Sequence, residues 1–234
     1  MKTMGSSDAN RVLSDLESLV DAEAITVTDA WKVFKSPGLK HEFKKISLRL
    51  TPIEIEAVES LLAAVKSRLR TGARKRCAYC RRPMGTHKMS WHIEHIKPKS
   101  RFPELMFSMS NLVYACMDCN FTKNTEIDNP KVYLFDIIDP GSTGFSYSAH
   151  LSYLQVTTEH LHFLKYSPIS PEGTKTYERL LLQRIEALEV VSGLNGHIRD
   201  LSHRIDDAVV ECNDDDNGEI GLFLTKLKLK IVTR

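Results

Sequence analysis

Cys77 and Cys80 stand two residues apart, and Cys116 and Cys119 repeat that spacing after a gap of 35 residues. Each such pair closes on a metal ion as a knuckle. Four thiolates placed tetrahedrally hold Zn²⁺ with no open position, so a zinc ion here is expected to serve the fold. The gap exceeds the roughly 15 to 20 residues of a plain zinc ribbon, so a further element is inserted between the pairs. The insert contains WHIEHIKPKS, with His92, Glu94 and His95, and then Asn111. Asn120 follows directly on the second pair, with Lys123 about one helical turn later. A neutral imidazole takes a proton from water near pH 7. Carboxylate and amide oxygens suit a hard cation such as Mg²⁺ or Mn²⁺, which neutralises charge gathering on phosphorus and on a departing oxygen. These are the parts that phosphodiester hydrolysis requires, and Lys123 is placed to contact a phosphate. The fifth cysteine, Cys212, is left over and is expected to be an inert thiol.

The charge pattern points the same way. From Lys66 to Arg101 the chain carries twelve Lys or Arg against the single acid Glu94, although its net charge is only +2. The compensating acids lie elsewhere, notably in DDAVVECNDDDNGE at 206–219. A basic segment wrapped around a candidate metal site suits a polyanion, because Lys and Arg release the counterions condensed on phosphates. Arg74, Lys75, Arg76, Arg81, Arg82, Lys97 and Lys99, with Lys123, are the expected contacts to nucleic acid; the bland alternative is a solvated face.

The elements that must position these groups follow from periodicity and capping. Residues 1–73 read as helical. The clearest helix is TPIEIEAVESLLAAVKSRLRTG, with Thr51 as N-cap, Pro52 in the first turn, Glu54 closing a capping box and Gly72 able to end it. ANRVLSDLESLVDA and TDAWKVFKS predict shorter amphipathic helices. In residues 74–130, WHIEHI and NLVYAC are strand-like, KPKSRFPELMFSMS between them is a loop, and CMDCNFTKNTE predicts a short helix. Residues 131–234 are mixed and then helical: HLSYLQV predicts a strand, TYERLLLQRIEALEVVSG a helical stripe ending at Gly193, and LNGHIRDLSHRIDDAVV a further apolar repeat. LFLTKLKLKIV fits either strand or helix. The expected fold class is α+β, mostly helical, with the cysteine module flanked by helical regions.

The order C-A-Y-C, H-I-E-H-I, N-L, then C-M-D-C-N with a Lys three residues beyond resembles the HNH endonucleases of the zinc-stapled ββα-metal kind. The resemblance spans Cys77 to Lys123. It implies that Glu94 binds the catalytic Mg²⁺ or Mn²⁺, that His95 is the general base, that Asn111 braces the loop between the strands, and that Asn120 completes the second metal site. The family more often has Asp where this chain has Glu94. His92 is the rival base and, on Glu94's strand face, an alternative ligand. Strict strand alternation also sets Glu94 and His95 on opposite faces, so their convergence would need a twisted or bulged strand end.

The flanks carry a second resemblance. IEHIKPKS, IIDP, HLSYL and SPEGTKTYERLLLQRIEAL are similar to the HNH subunit of bacterial anti-phage Septu systems and their retron-associated relatives, in which a nuclease pairs with an ATPase. This implies a role in phage defence, an ATPase subunit as partner, and helical flanks used for docking.

DNA is the expected substrate. An RNA-directed nuclease and a zinc module that binds nucleic acid without catalysis are the alternatives. The basic stretch interleaves only Tyr79 and Trp91, few aromatics for base stacking on RNA. No run of about 18 apolar residues exists, and MKTMGSSDANRVL lacks an apolar signal region, so neither a membrane span nor secretion is expected and the cytoplasm is the expected location.

Overall fold

The computed structural model describes residues 1–85, 91–125, 135–157 and 162–193. The sequence readings that fall on Lys88, on Cys212 and on residues 194–234 lie outside them. The described chain is α+β and separates into two units: Met1–Phe135 with Asp139–Phe145, and Asp136–Ile138 with the chain from Ser146 onward.

The first unit begins with helices that start where side chains satisfy their open N–H groups. The Ser6 hydroxyl accepts from the Ala9 N–H and opens α1 (Ser7–Asp21), which buries Ala9, Val12, Leu13 and Leu16 at helical spacing. Thr26 and Asp29 form a reciprocal capping box at the head of α2 (Val27–Lys35), whose buried face is Ala30, Trp31, Val33 and Phe34. A short hairpin pairs β1 (His41–Glu42) with β2 (Ser47–Leu48). The Thr51–Glu54 box and Pro52 then start α3 (Pro52–Gly72), which buries Val58, Leu61, Leu62, Val65 and Leu69. Helix α1 packs against both α2 and α3. Beyond Ala73 the chain leaves α3 through two left-handed residues, Arg74 (φ 51°) and Lys75 (φ 56°), and enters the cysteine module.

That module is an antiparallel pair, β3 (Trp91–His95) and β4 (Leu112–Cys116), followed without a gap by α4 (Met117–Thr125). The two strands and the helix fall on the strand-like segments WHIEHI and NLVYAC and on the second cysteine pair. Helix α4 packs on both strands, and α3 covers β4.

In the second unit β5 (Leu151–Thr157) pairs antiparallel with β6 (His162–Pro168). The expected single stripe up to Gly193 is instead two helices, α5 (Pro171–Arg179) and α6 (Leu182–Gly193), parted at Leu181, which adopts φ 50°. In an unbroken helix Leu180 and Leu182 would point about 200° apart. The break lets both turn inward, to 2% and 0% exposure. The buried Glu186 carboxylate ties α6 to the hairpin by accepting from the Tyr166 N–H (2.6 Å) and Lys165 Nζ (3.2 Å), and to α5 by accepting from the Tyr177 hydroxyl (3.1 Å).

Candidate active site

The strands pair one-to-one from Trp91 opposite Cys116 to His95 opposite Leu112, with no bulge. Asn111 sits where β4 begins and holds the connecting loop shut. Its Oδ1 accepts from the Lys97 N–H (2.8 Å), and its Nδ2 donates to the carbonyls of Lys97 (3.0 Å) and Leu105 (3.3 Å). The Ile96 N–H donates to its carbonyl as well (2.9 Å). At 4% exposure its amide is held by backbone groups on both sides of the loop, so it sets the loop's shape.

Cys77, Cys80, Cys116 and Cys119 are buried, and their sulfurs all lie within 4.8 Å of one another. Among the described residues they form the only group of three or more His, Cys, Asp or Glu that could hold an ion. The sulfurs already gather N–H donors: Cys116 N–H points to Cys77 Sγ (3.3 Å), Cys119 N–H to Cys116 Sγ (3.4 Å), and Arg82 Nη2 to Cys116 Sγ (3.9 Å). Hydrogen bonding from Cys119, and then from the other thiols, pulls the Cys116 thiol well below its ordinary value. Four buried soft sulfurs drawn together, with N–H donors on Cys77 and Cys116, fit Zn²⁺. Burial works against the Arg82 guanidinium, but Cys80, Asp118 and Cys116 together outweigh it and hold Arg82 charged.

Around Glu94 the interior is ionic. Its Oε1 accepts from Lys123 Nζ at 2.9 Å, and the same ammonium donates to the His95 carbonyl at 2.8 Å. Glu94 is 7% and Lys123 5% exposed. This differs from the expectation of a Lys123 reaching outward to phosphate. One turn of helix beyond Asn120 lies over β3, so the side chain turns into the ββα interior to neutralise the one acid there. Asn120 is half-buried on the same helix.

The neighbouring His95 points elsewhere. Its ring meets the edge of Trp31 of α2 (centroids 4.4 Å, interplanar angle 69°), and its Nε2 lies 3.0 Å from the Met106 carbonyl. A carbonyl only accepts, so Nε2 carries the hydrogen and Nδ1 keeps the basic lone pair. Burial pushes the imidazole down to about 4, against the Met106 hydrogen bond, so the ring is neutral at pH 7. Alternation along β3 thus sends the Glu94 carboxylate to α4 and the His95 ring to α2. His92, opposite Ala115, is half-buried.

A carboxylate and a carboxamide oxygen are the right chemistry for a hard cation that keeps several waters. In this structure Glu94 Oε1 holds the Lys123 ammonium, which a cation at Glu94 would have to displace.

The remaining basic residues divide by place. Arg74 and Lys75 are exposed, whereas Arg76 Nη1 donates to the Arg81 carbonyl (3.0 Å) and Arg82 pairs with Asp118. Lys97 lies over the Phe102 ring (5.9 Å), and burial lowers the Lys99 ammonium. Sequence reasoning did not find Trp31 or the Met106 carbonyl as partners of His95. The only signal was that Trp31 falls on the apolar stripe of its helix, which says that it is covered but not by what.

Residues 77–126 match the family model of the HNH endonuclease. No curated protein and no solved structure matches the chain at a significant level. The matched segment coincides with the four cysteines, both strands and α4, and it supports a nuclease, a hydrolase acting on nucleic acid. Among the described residues no helix is long and apolar enough to cross a membrane.

Proposed function

We propose that the chain is a divalent-metal-dependent HNH endonuclease cutting DNA phosphodiester bonds, with His95 as general base, Glu94 and Asn120 as ligands of Mg²⁺ or Mn²⁺, Asn111 as the brace of the site, and a structural zinc on the four cysteines. The observation that carries this reading is the clamp of α4 against the strand bearing Glu94 and His95, fixed at one end by the cysteine cluster and at the other by the Lys123–Glu94 pair.

His95 Nδ1 would take the proton of the attacking water while Nε2–H stays on the Met106 carbonyl, which keeps the ring's orientation through the transfer. An ion on Glu94 and Asn120 would supply charge neutralisation at the phosphorus and the leaving oxygen. In-line displacement puts the entering water and the leaving oxygen on opposite sides of phosphorus. Alternation along the unbulged β3 turns Glu94 and His95 to opposite faces, so their convergence on one phosphate would require the strand end to twist. Lys123, once released from Glu94, would pair with a phosphate oxygen. Arg74, Lys75, Arg76, Arg81, Arg82, Lys97 and Lys99 would line the approach of the polyanion.

The resemblance of the flanks supports a narrower role, the nuclease subunit of a bacterial anti-phage system working in the cytoplasm with an ATPase subunit. The test incubates purified protein with supercoiled plasmid and with total RNA, each with Mg²⁺ or Mn²⁺, beside His95→Ala, alone and with the proposed ATPase subunit. Relaxation of the plasmid by wild type and not by the variant is expected. Degradation confined to RNA would overturn the DNA assignment, and equal activity of His95→Ala would overturn the role of the base.

A further inference from the structure

The first unit contains a cavity of about 500 Å³ that the proposed chemistry does not use. Its walls come from the last turns of α3 (Arg68, Leu69), the first knuckle (Arg81), β4 (Tyr114) and the loop bearing Pro140 and Phe145. The volume lies within the range of small-molecule sites, roughly 300 to 1,000 Å³. Two features mark it as more than a packing gap. Among the described residues two arginines, Arg68 and Arg81, line it and no acidic residue does. The hydroxyl of Tyr114, a residue only 1% exposed, is buried without a hydrogen-bond partner among the described residues. Such an orphaned hydroxyl costs about 1 to 3 kcal/mol, which an acceptor brought by a ligand would relieve.

We infer that this cavity binds a nucleoside phosphate: the phosphate between Arg68 and Arg81, the base or sugar against the apolar wall formed by Leu69, Pro140 and Phe145, and an acceptor atom at the Tyr114 hydroxyl. Arginine's planar fork matches phosphate oxygens in pairs. An inorganic anion would leave the apolar wall wet and most of the volume unfilled. The nucleotide arrives either free or as a residue of a bound strand away from the cleaved bond. The second source rests on the nuclease reading and the first does not.

The Trp91 ring lies 4.4 Å from the Tyr114 ring, so tryptophan fluorescence reports on the site. The zinc-loaded full chain is titrated, without added Mg²⁺ or Mn²⁺, with adenosine 5′-monophosphate, adenosine, inorganic phosphate and a 5′-phosphorylated single-stranded 12-mer. Saturable binding of the mononucleotide or the 12-mer is expected, with adenosine and phosphate each weaker by about tenfold or more. Arg68→Glu, on the exposed side of α3, should weaken that binding by about tenfold or more, and Tyr114→Phe by about threefold to tenfold while raising the melting temperature of the unliganded protein, since the unpartnered hydroxyl is gone. A 12-mer that binds tenfold more tightly than the mononucleotide and competes with it identifies the strand as the source; comparable affinities identify the free nucleotide. Absence of saturable binding by both, inorganic phosphate binding as tightly as the nucleotide, or an Arg68→Glu variant with unaltered affinity would overturn the assignment. No cleavage is read, so these outcomes are separate from failure of the nuclease reading.

Discussion

Lys123 Nζ reaches Glu94 Oε1 at 2.9 Å inside the ββα unit, the side chains being 4% and 9% exposed. The strand that carries the proposed base and the helix that carries Asn120 are therefore joined by charge as well as by packing, since the same ammonium also holds the His95 carbonyl.

Breaking one half of this pair leaves an uncompensated buried charge. Lys123→Met is expected to destabilise the protein by about 3 to 5 kcal/mol, and Glu94→Gln combined with Lys123→Met to recover most of that loss. Urea unfolding of the two variants measures it. A single variant as stable as wild type would mean that water reaches the pair.

The cysteine cluster makes a separate prediction. Cys119→Ser should release one zinc per chain and lower the melting temperature by about 10 °C or more, each kcal/mol being worth about 2 to 4 °C at this size. Zinc content by mass spectrometry and a thermal melt check it together. Unchanged metal content would remove the staple.

His95 gives a pH dependence with a definite sign. Its folded value of about 4 lies below the ordinary 6.5, so the unfolded chain binds the proton more readily and acid favours unfolding. The contribution is present above pH 6.5 and is lost as the pH falls towards 4. Between pH 7 and pH 5 wild type should lose about 2 kcal/mol more than His95→Gln, which shares every other titrating group. Parallel losses in the two proteins would mean that the ring is solvated.

Asn111 predicts a local effect. Asn111→Ala removes three hydrogen bonds to backbone and should cost about 2 to 3 kcal/mol. Amide hydrogen exchange at Lys97, whose N–H donates to Oδ1, should quicken in the variant. A Lys97 amide that stays protected would show that the loop is held by other contacts.

Much of this architecture was legible in local patterns, and the divide falls where patterns stop being local. The Thr51–Glu54 box starts α3 because cap and helix lie within four residues. The short apolar runs WHIEHI and NLVYAC read as strands and are strands, and the spacing of the cysteine pairs foretold their convergence. The direction of Lys123 was not legible, because a charged residue one turn past Asn120 faces water or the interior according to whether an acid waits there. Nor was the partnership of Trp31 with His95, 64 positions apart, which depends on how α2 meets the cysteine module. The break at Leu181 has no local signal because Leu is a good helix former, and only the burial of both flanking leucines favours a left-handed residue there.

Cys116 ends β4, and Met117 already belongs to α4, so no spacer absorbs a change in length between the sulfur cluster and the residues beyond it. An α-helix turns about 100° per residue. One residue inserted between Cys119 and Asn120 would leave every sulfur in place yet swing the Asn120 amide and the Lys123 ammonium a quarter-turn or more around the helix axis. The cluster therefore acts as an angular index as well as a staple, and this short helix is far less tolerant of insertion than of substitution.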